Sequence, residues 1–340
     1  MADPRCFFIA EAGINHNGEV TLALDLATAA REVGADAVKF QSFTAETLAV
    51  RSALSAPHID AGLGVKGTIF DLLKRLELSR EAHERIAAHC RKIGIEFLST
   101  PLDVSFVGFL DQLGVARFKI ASMDLNNPSL LEAVGRTGKP VILSTGMGTM
   151  AEVETALSIL RRSGAPEVTI LHCVSAYPPK LEDVHLRAMD VMREAFRCPV
   201  GYSDHATGIA VALAAVARGA SVIEKHFTLD KTMPGPDQKV SADVNEFRML
   251  IAMAREIEPA LGLARKAPAP SEIGVKPAFR RSVVTTRPLR VGDALADGAL
   301  DVKRPGTGLE PTWLSIARDG FARRDLPADH LIELKDIEWR

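Results

Sequence analysis

Gly201-Tyr202-Ser203-Asp204-His205, a run of small residues, and then Ser221-Val222-Ile223-Glu224-Lys225-His226 decide how this chain is read. Each quoted end is a short apolar run that closes on a histidine. The segment between them is long enough to cross back over a sheet as a helix. Successive parallel strands related in this way carry their C-terminal tips side by side. His205 and His226 are then expected next to each other at one rim of a barrel, a natural place for a divalent ion.

Working outward, the same alternation fills residues 6 to 230. Apolar runs at 6–11, 36–41, 95–99, 116–120, 140–144, 168–172, 198–202 and 221–226 read as strands. Thr21 to Val33, Arg80 to Lys92, Met150 to Arg162 and Thr207 to Ala217 read as the clearest helices between them. Eight βα units of this size predict a (β/α)8 TIM barrel, with a doubly wound open sheet as the alternative.

Two stretches do not belong to a minimal barrel. Phe43 to Phe70, with Pro57 and His58, is too long for a plain βα loop and predicts an insertion or lid beside the second strand. Residues 266–278, with Pro268, Pro270 and Pro277, read as a semi-rigid linker after a barrel spanning 1–265. Residues 279–340 then change texture. Strand-like pieces such as Ser282 to Thr286 and turn signals such as Val291-Gly292-Asp293 predict a separate small β-rich domain.

Charge narrows the function. The 340 residues carry 41 Lys and Arg against 43 Asp and Glu, a net charge of -2, so no nucleic-acid or anionic-membrane surface is announced. Small-molecule partners are expected. Apolar runs are only strand-length and Met1 to Arg5 lacks signal-peptide regions, which predicts a soluble cytoplasmic protein. Cys6, Cys90, Cys173 and Cys198 are scattered without CxxC spacing, as expected of buried, reduced thiols.

Barrel enzymes keep their chemistry at the strand tips. Here every tip is polar: Glu11, Lys39 and Gln41, Ser99 and Thr100, Lys119 and Ser122, Ser144 and Thr145, His172, Ser203 to His205, and Glu224 to His226. Lys39 and Lys119 interrupt apolar strands, where an unpaired ammonium is costly to desolvate, so an anionic ligand is expected beside them. With the hydroxyls of Thr100, Ser122 and Ser144 they would cradle a phosphate and a carboxylate. The Gly146-Met147-Gly148 turn is expected to add backbone N–H groups. His205 and His226 suit an open metal site completed by water or substrate oxygens, with His172 as a third ligand or a supporting group. Glu11 and Asp237 are candidates to bind hydroxyls or move protons.

Taken in order, Ile9-Ala10-Glu11-Ala12-Gly13-Ile14-Asn15-His16-Asn17-Gly18, Val38-Lys39-Phe40-Gln41, Phe97-Leu98-Ser99-Thr100-Pro101, Lys119-Ile120-Ala121-Ser122, Leu143-Ser144-Thr145-Gly146-Met147, Ser203-Asp204-His205, Lys225-His226-Phe227 and Gly235-Pro236-Asp237 closely resemble the sialic acid synthase family. That family comprises N-acetylneuraminate synthases and their pseudaminic and legionaminic acid relatives. Residues from Arg280 onward look like its C-terminal antifreeze-like (SAF) domain. The resemblance implies a domain-swapped homodimer that condenses phosphoenolpyruvate with an N-acylated amino-hexose, either N-acetylmannosamine or a diacetamido-trideoxy hexose. It also implies C–O cleavage that releases phosphate, under Mn2+ or else Mg2+ or Co2+.

Carried over by position, the resemblance implies His205 and His226 as metal ligands. It implies Lys39, Thr100, Lys119, Ser122, Ser144 and Ser203 around phosphoenolpyruvate, and Glu11, Gln41, Tyr177 and Asp237 against the sugar and the reacting carbon. Arg304, in Arg304-Pro305-Gly306-Thr307-Gly308, matches the arginine that reaches the sugar N-acyl group of the partner subunit. Where the family often has glycine and an acidic residue after the fourth-strand Lys-Ile-x-Ser element, this chain has Met123-Asp124, which leaves the exact sugar open. Two rivals stand beside this reading. One is a Schiff-base pyruvate aldolase with Lys39 or Lys119 as nucleophile; the other is a non-catalytic carbohydrate-binding protein.

Overall fold

The computed structural model describes residues 5–52, 68–296 and 298–340, so Pro57 and His58 of the expected insertion lie outside the described residues. The chain divides into two compact units, Met1–Gly262 and Leu263–Arg340.

In the first unit the strands are β1 (Phe7–Gly13), β2 (Ala37–Ser42), β3 (Glu96–Pro101), β4 (Phe118–Ile120), β5 (Val141–Ser144), β6 (Val168–Cys173), β7 (Val200–Asp204) and β8 (Val222–His226). They form one eight-stranded sheet in the order β3-β2-β1-β8-β7-β6-β5-β4. β1 pairs in parallel with β8, from Phe7 opposite Val222 to Glu11 opposite His226. β3 and β4 lie against each other, so strand neighbours follow sequence order all the way round. This is a (β/α)8 barrel, and the open doubly wound sheet is set aside.

Local sequence explains the helix ends. Ser79 accepts the Ala82 N–H at the start of Arg80–Ile93, and Thr149 and Glu152 close a reciprocal capping box on Met150–Ser163. Gly94, Gly114 and Gly164 end their helices in the left-handed conformation. The helix expected from Thr207 begins instead at Ala210, after Gly208 at φ 73° breaks the approach. The proline-rich connection is not simply extended, since Pro270–Ile273 and Lys276–Phe279 are short helical turns.

The barrel interior is layered. Ile9, Ala37, Leu98, Ile142, Leu171 and Val222 form an apolar plug. Gly201 completes it, because a Cβ there would stand 2.3 Å from the Val222 carbonyl oxygen and 2.7 Å from Leu171 Cδ2. Only glycine lets β7 close against β8. Outside the strands Phe8, Phe40, Phe118, Tyr202 and Ile223 pack beneath the helices, each large apolar side chain contributing about 1.5–3 kcal/mol by leaving water.

In the second unit β9 (Ser282–Thr285) pairs antiparallel with β10 (Leu300–Lys303), and β11 (Phe321–Ala322) with β12 (Ile337–Glu338). Val283, Leu295, Leu300, Ile332 and Ile337 belong to its own core. All four cysteines are free thiols, with Cys6, Cys90 and Cys173 buried. Among the described residues no helix is long and apolar enough to cross a membrane.

Candidate active site

Side chains two residues apart on a strand share a face, and that period builds the site. One step beyond the plug residues Ile9, Ala37, Leu98, Ile142, Leu171 and Val222 stand Glu11, Lys39, Thr100, Ser144, Cys173 and Glu224. A further step on three of these strands or their tips reaches Gln41, Ser175 and His226, while β7 contributes Ser203 and His205. These residues, with Lys119, Ser122, Met123, Met147, Tyr177 and Asp237 among others, line a cavity of about 330 Å³ at the C-terminal ends of the strands. The structure therefore gathers Glu11, Lys39, Gln41, Thr100, Lys119, Ser122, Ser144, Tyr177, Ser203, His205, His226 and Asp237 around one space. Arg304 belongs to the second unit, where its guanidinium lies over the Phe279 ring at 5.1 Å.

Four buried charges form the floor. Lys39 Nζ lies 2.8 Å from Glu11 Oε2 and 3.6 Å from Glu224 Oε2, and it donates to Thr100 Oγ1 at 3.0 Å. Lys119 Nζ lies 3.5 Å from Glu224 Oε1 and donates to Ser144 Oγ at 2.7 Å and to the Ile120 carbonyl at 3.1 Å. Ser203 Oγ donates to Glu224 Oε1 at 2.9 Å.

The protonation balance is uneven. Burial raises the Glu11 carboxyl above its ordinary range despite Lys39. Burial also raises Glu224, but Lys119 and Lys39 outweigh it and hold its pKa at about 2. Burial alone would lower the Lys39 ammonium, yet Glu11 and Glu224 keep it above its ordinary value. Lys119 is the poorly compensated one, for burial lowers it and Glu224 offsets only part.

At the next level up, the His205 and His226 rings have centroids 5.5 Å apart. Tyr177 lies 4.2 Å from the His205 ring and edge-on to His226. His205 Nδ1 donates to the Val174 carbonyl at 2.8 Å, which leaves Nε2 as the acceptor nitrogen. Burial, and then His226, push the His205 pKa down to about 3, so the ring is neutral near pH 7. His226 Nδ1 is buried without a hydrogen bond, and Asp237 Oδ2 stands 3.5 Å from it. Rings this close would fit one shared ion, since each metal–nitrogen bond spans about 2.0–2.1 Å. Among the described residues no three His, Cys, Asp or Glu side chains form a ready-made metal cluster. An ion held here would take only the two imidazoles from the ring pair and draw its other ligands from oxygen atoms.

Two expectations need correction. His172 does not line the cavity; it lies between the inward-facing Leu171 and Cys173, so it turns outward and bonds the Val184 carbonyl at 2.7 Å. The Gly146-Met147-Gly148 turn offers no open glycine N–H, because Gly146 N donates to Ser122 Oγ at 2.9 Å and Gly148 N to the Thr145 carbonyl. Conversely Glu224, the acid that joins both lysines, had no assigned role in the sequence reading. Its signal was its place two residues before His226, on the same strand face.

A parallel barrel whose C-terminal rim gathers two buried lysines, two buried acids, paired imidazoles and several hydroxyls has the layout of an enzyme site. The chain belongs to the NeuB family, whose model matches residues 26–266. It is 42% identical over 314 residues to the N,N'-diacetyllegionaminic acid synthase of Legionella pneumophila, covering 91% of this chain and 88% of that one. It is 36% identical over 299 residues to the N-acetylneuraminate-9-phosphate synthase of Mus musculus, covering 88% and 83%. The crystal structure of an N-acetylneuraminic acid synthetase from Leptospira borgpetersenii, in complex with citrate, superposes with a TM-score of 0.71 at 36% identity, covering 79% of this chain and 90% of that one. The chain is an enzyme of this synthase family, and the non-catalytic carbohydrate-binding reading is withdrawn.

Proposed function

We propose that the protein condenses phosphoenolpyruvate with the open-chain aldehyde of an N-acylated amino-hexose and releases phosphate. The observation that carries this is Lys119, only partly compensated by Glu224, beside Lys39 on the floor of a cavity whose upper wall holds the paired His205 and His226 imidazoles. A ligand bearing both phosphate and carboxylate would supply the compensation that Glu224 gives Lys119 only in part.

Lys39 and Lys119, with Thr100, Ser122, Ser144 and Ser203, hold phosphoenolpyruvate and fix its third carbon toward the acceptor. Gln41, Tyr177 and Asp237 orient the sugar. His205 and His226 would hold a divalent ion, which when bound polarises the aldehyde oxygen as a Lewis acid. Carbon 3 of phosphoenolpyruvate forms a bond to the aldehyde carbon as the carbonyl π pair moves onto the aldehyde oxygen, which takes up a proton and becomes a hydroxyl, and positive character develops at carbon 2. Glu11, whose carboxyl burial makes a readier proton acceptor, steers a water to carbon 2 and takes its proton. The bond from carbon 2 to the bridging oxygen then breaks, its electron pair leaving with phosphate while the new carbon 2 hydroxyl gives up its proton and becomes the ketone. The lysines stay non-covalent and act through charge and position.

For the acceptor, the higher identity to the legionaminic acid synthase and the Met123 and Met147 side chains on the cavity wall support a diacetamido-trideoxy hexose. The second unit is read as an SAF domain whose Arg304 reaches the sugar of the partner in a homodimer. One observation favours a Schiff-base aldolase instead, namely that burial lowers the Lys119 ammonium toward a free amine.

The deciding experiment measures phosphate release from phosphoenolpyruvate with Mn2+, comparing N-acetylmannosamine with 2,4-diacetamido-2,4,6-trideoxy hexoses, with and without excess chelator. Chelator-sensitive release with the trideoxy sugar is expected. Silence with every sugar, together with borohydride trapping of pyruvate on Lys119, would replace the synthase reading by the aldolase.

A further inference from the structure

Both histidine-bearing tips carry a charged residue just before the histidine, Asp204-His205 on β7 and Lys225-His226 on β8. Neighbours along a strand point to opposite faces. With His205 and His226 on the cavity, Asp204 and Lys225 therefore stand on the outer face, continuing the side where Tyr202 and Ile223 join the core beneath the helices. Both are fully buried there, and they are direct partners in the β7–β8 register.

Their bonding brackets His205. Lys225 Nζ donates to Asp204 Oδ2 at 2.7 Å and to the Ala206 carbonyl at 2.6 Å. Asp204 Oδ1 in turn accepts the Ala206 N–H at 3.0 Å. The residue before His205 and the residue after it are thus both tied to the ammonium that immediately precedes His226. A buried ion pair adds little stability over a well-packed apolar pair, because desolvation offsets most of the attraction. What it adds is a set distance and direction between two backbones.

We infer that Asp204 and Lys225 are positioning residues for a divalent-ion site, fixing from behind the sheet the separation of the two imidazoles in front of it. The inference rests on the metal-dependent reading above. Groups that hydrogen-bond metal-binding histidines change metal affinity about 10–100-fold when removed; Asp204 and Lys225 would act on the rings through the backbone on either side of His205, with an effect of up to that size.

The test is the Mn2+ dissociation constant of the purified full chain without substrates, read from the electron paramagnetic resonance signal of free Mn2+. Asp204→Asn and Lys225→Met are each expected to weaken binding by about 10–100-fold, while phosphoenolpyruvate affinity measured without metal stays unchanged. Lys225→Arg should restore much of the loss. Because a single variant strands a buried charge, the paired variant Asp204→Leu with Lys225→Met is made as well. It should fold, and still bind Mn2+ weakly. Arg117→Gln, which breaks the Arg117–Glu96 pair at the opposite ends of the strands, controls for lost stability and should leave Mn2+ affinity as it was. Folded variants that bind Mn2+ like the wild type overturn the positioning role alone. A wild-type chain that binds no Mn2+ overturns both this role and the metal-dependent reading.

Discussion

Two buried charge clusters in this molecule obey the same electrostatics and end in opposite states. In the second unit Asp336 accepts from Arg324 Nε at 2.8 Å on one oxygen, and on the other meets His330 Nε2 at 2.9 Å and the Glu333 N–H at 3.0 Å. Burial works to raise its carboxyl, but those partners win and hold it below its ordinary range. On the barrel floor Glu11 is raised and Lys119 lowered, each pushed toward its neutral form by burial that its partners do not offset. A cluster whose every acceptor is filled serves the fold. One that leaves charge uncompensated inside an open cavity is arranged for a ligand.

Lys119→Met probes that difference most strongly. It should lower kcat/KM by about 10²–10³-fold, the usual loss when one preorganised donor is removed, while the unfolding midpoint moves much less than for a core truncation. A large fall in midpoint with activity retained would make Lys119 a structural residue and erase the contrast.

Leu98→Ala, in the apolar plug directly beneath Thr100, supplies the comparison. It should destabilise the barrel by about 2–5 kcal/mol in denaturant unfolding, with only a secondary effect on turnover per folded molecule.

Asp336→Asn tests the satisfied cluster, with an expected loss of about 1–3 kcal/mol from charged hydrogen bonds left unpaired in the second unit. The sign with pH follows from the lowered pKa. Stability from Asp336 is fully present above its ordinary value of 3.8 and is lost as pH falls below it. The variant should therefore flatten the acid limb of the second unit's unfolding curve; an unchanged limb would show that Asp336 is not the group responsible.

Arg136→Gln closes the series. Its pair with Glu132 is an exposed i,i+4 contact at 3.4 Å, so a change within about 0.5 kcal/mol is expected. A larger effect would mean that surface pairs, and not burial, set the scale here.

Much of the fold was legible because it is periodic. Strand-length apolar runs alternating with helical segments announce a barrel, and the plug and the polar layer above it follow from a two-residue step along each strand. His172 was misplaced because parallel strands are buried on both faces, so their sequences do not show which face looks inward. Glu224 was overlooked for the same reason.

By itself the sequence determined the eight strands, the polar residue at every tip, and the family. Those are local or collinear properties, written in runs and motifs. Only the tertiary structure decided that Glu224 sits between Lys39 and Lys119, that Ser122 occupies the Gly146 N–H, and that Lys225 clamps both neighbours of His205. Each of these joins residues from different strands or the loops that follow them, and which groups share a desolvated space is settled only when the barrel closes.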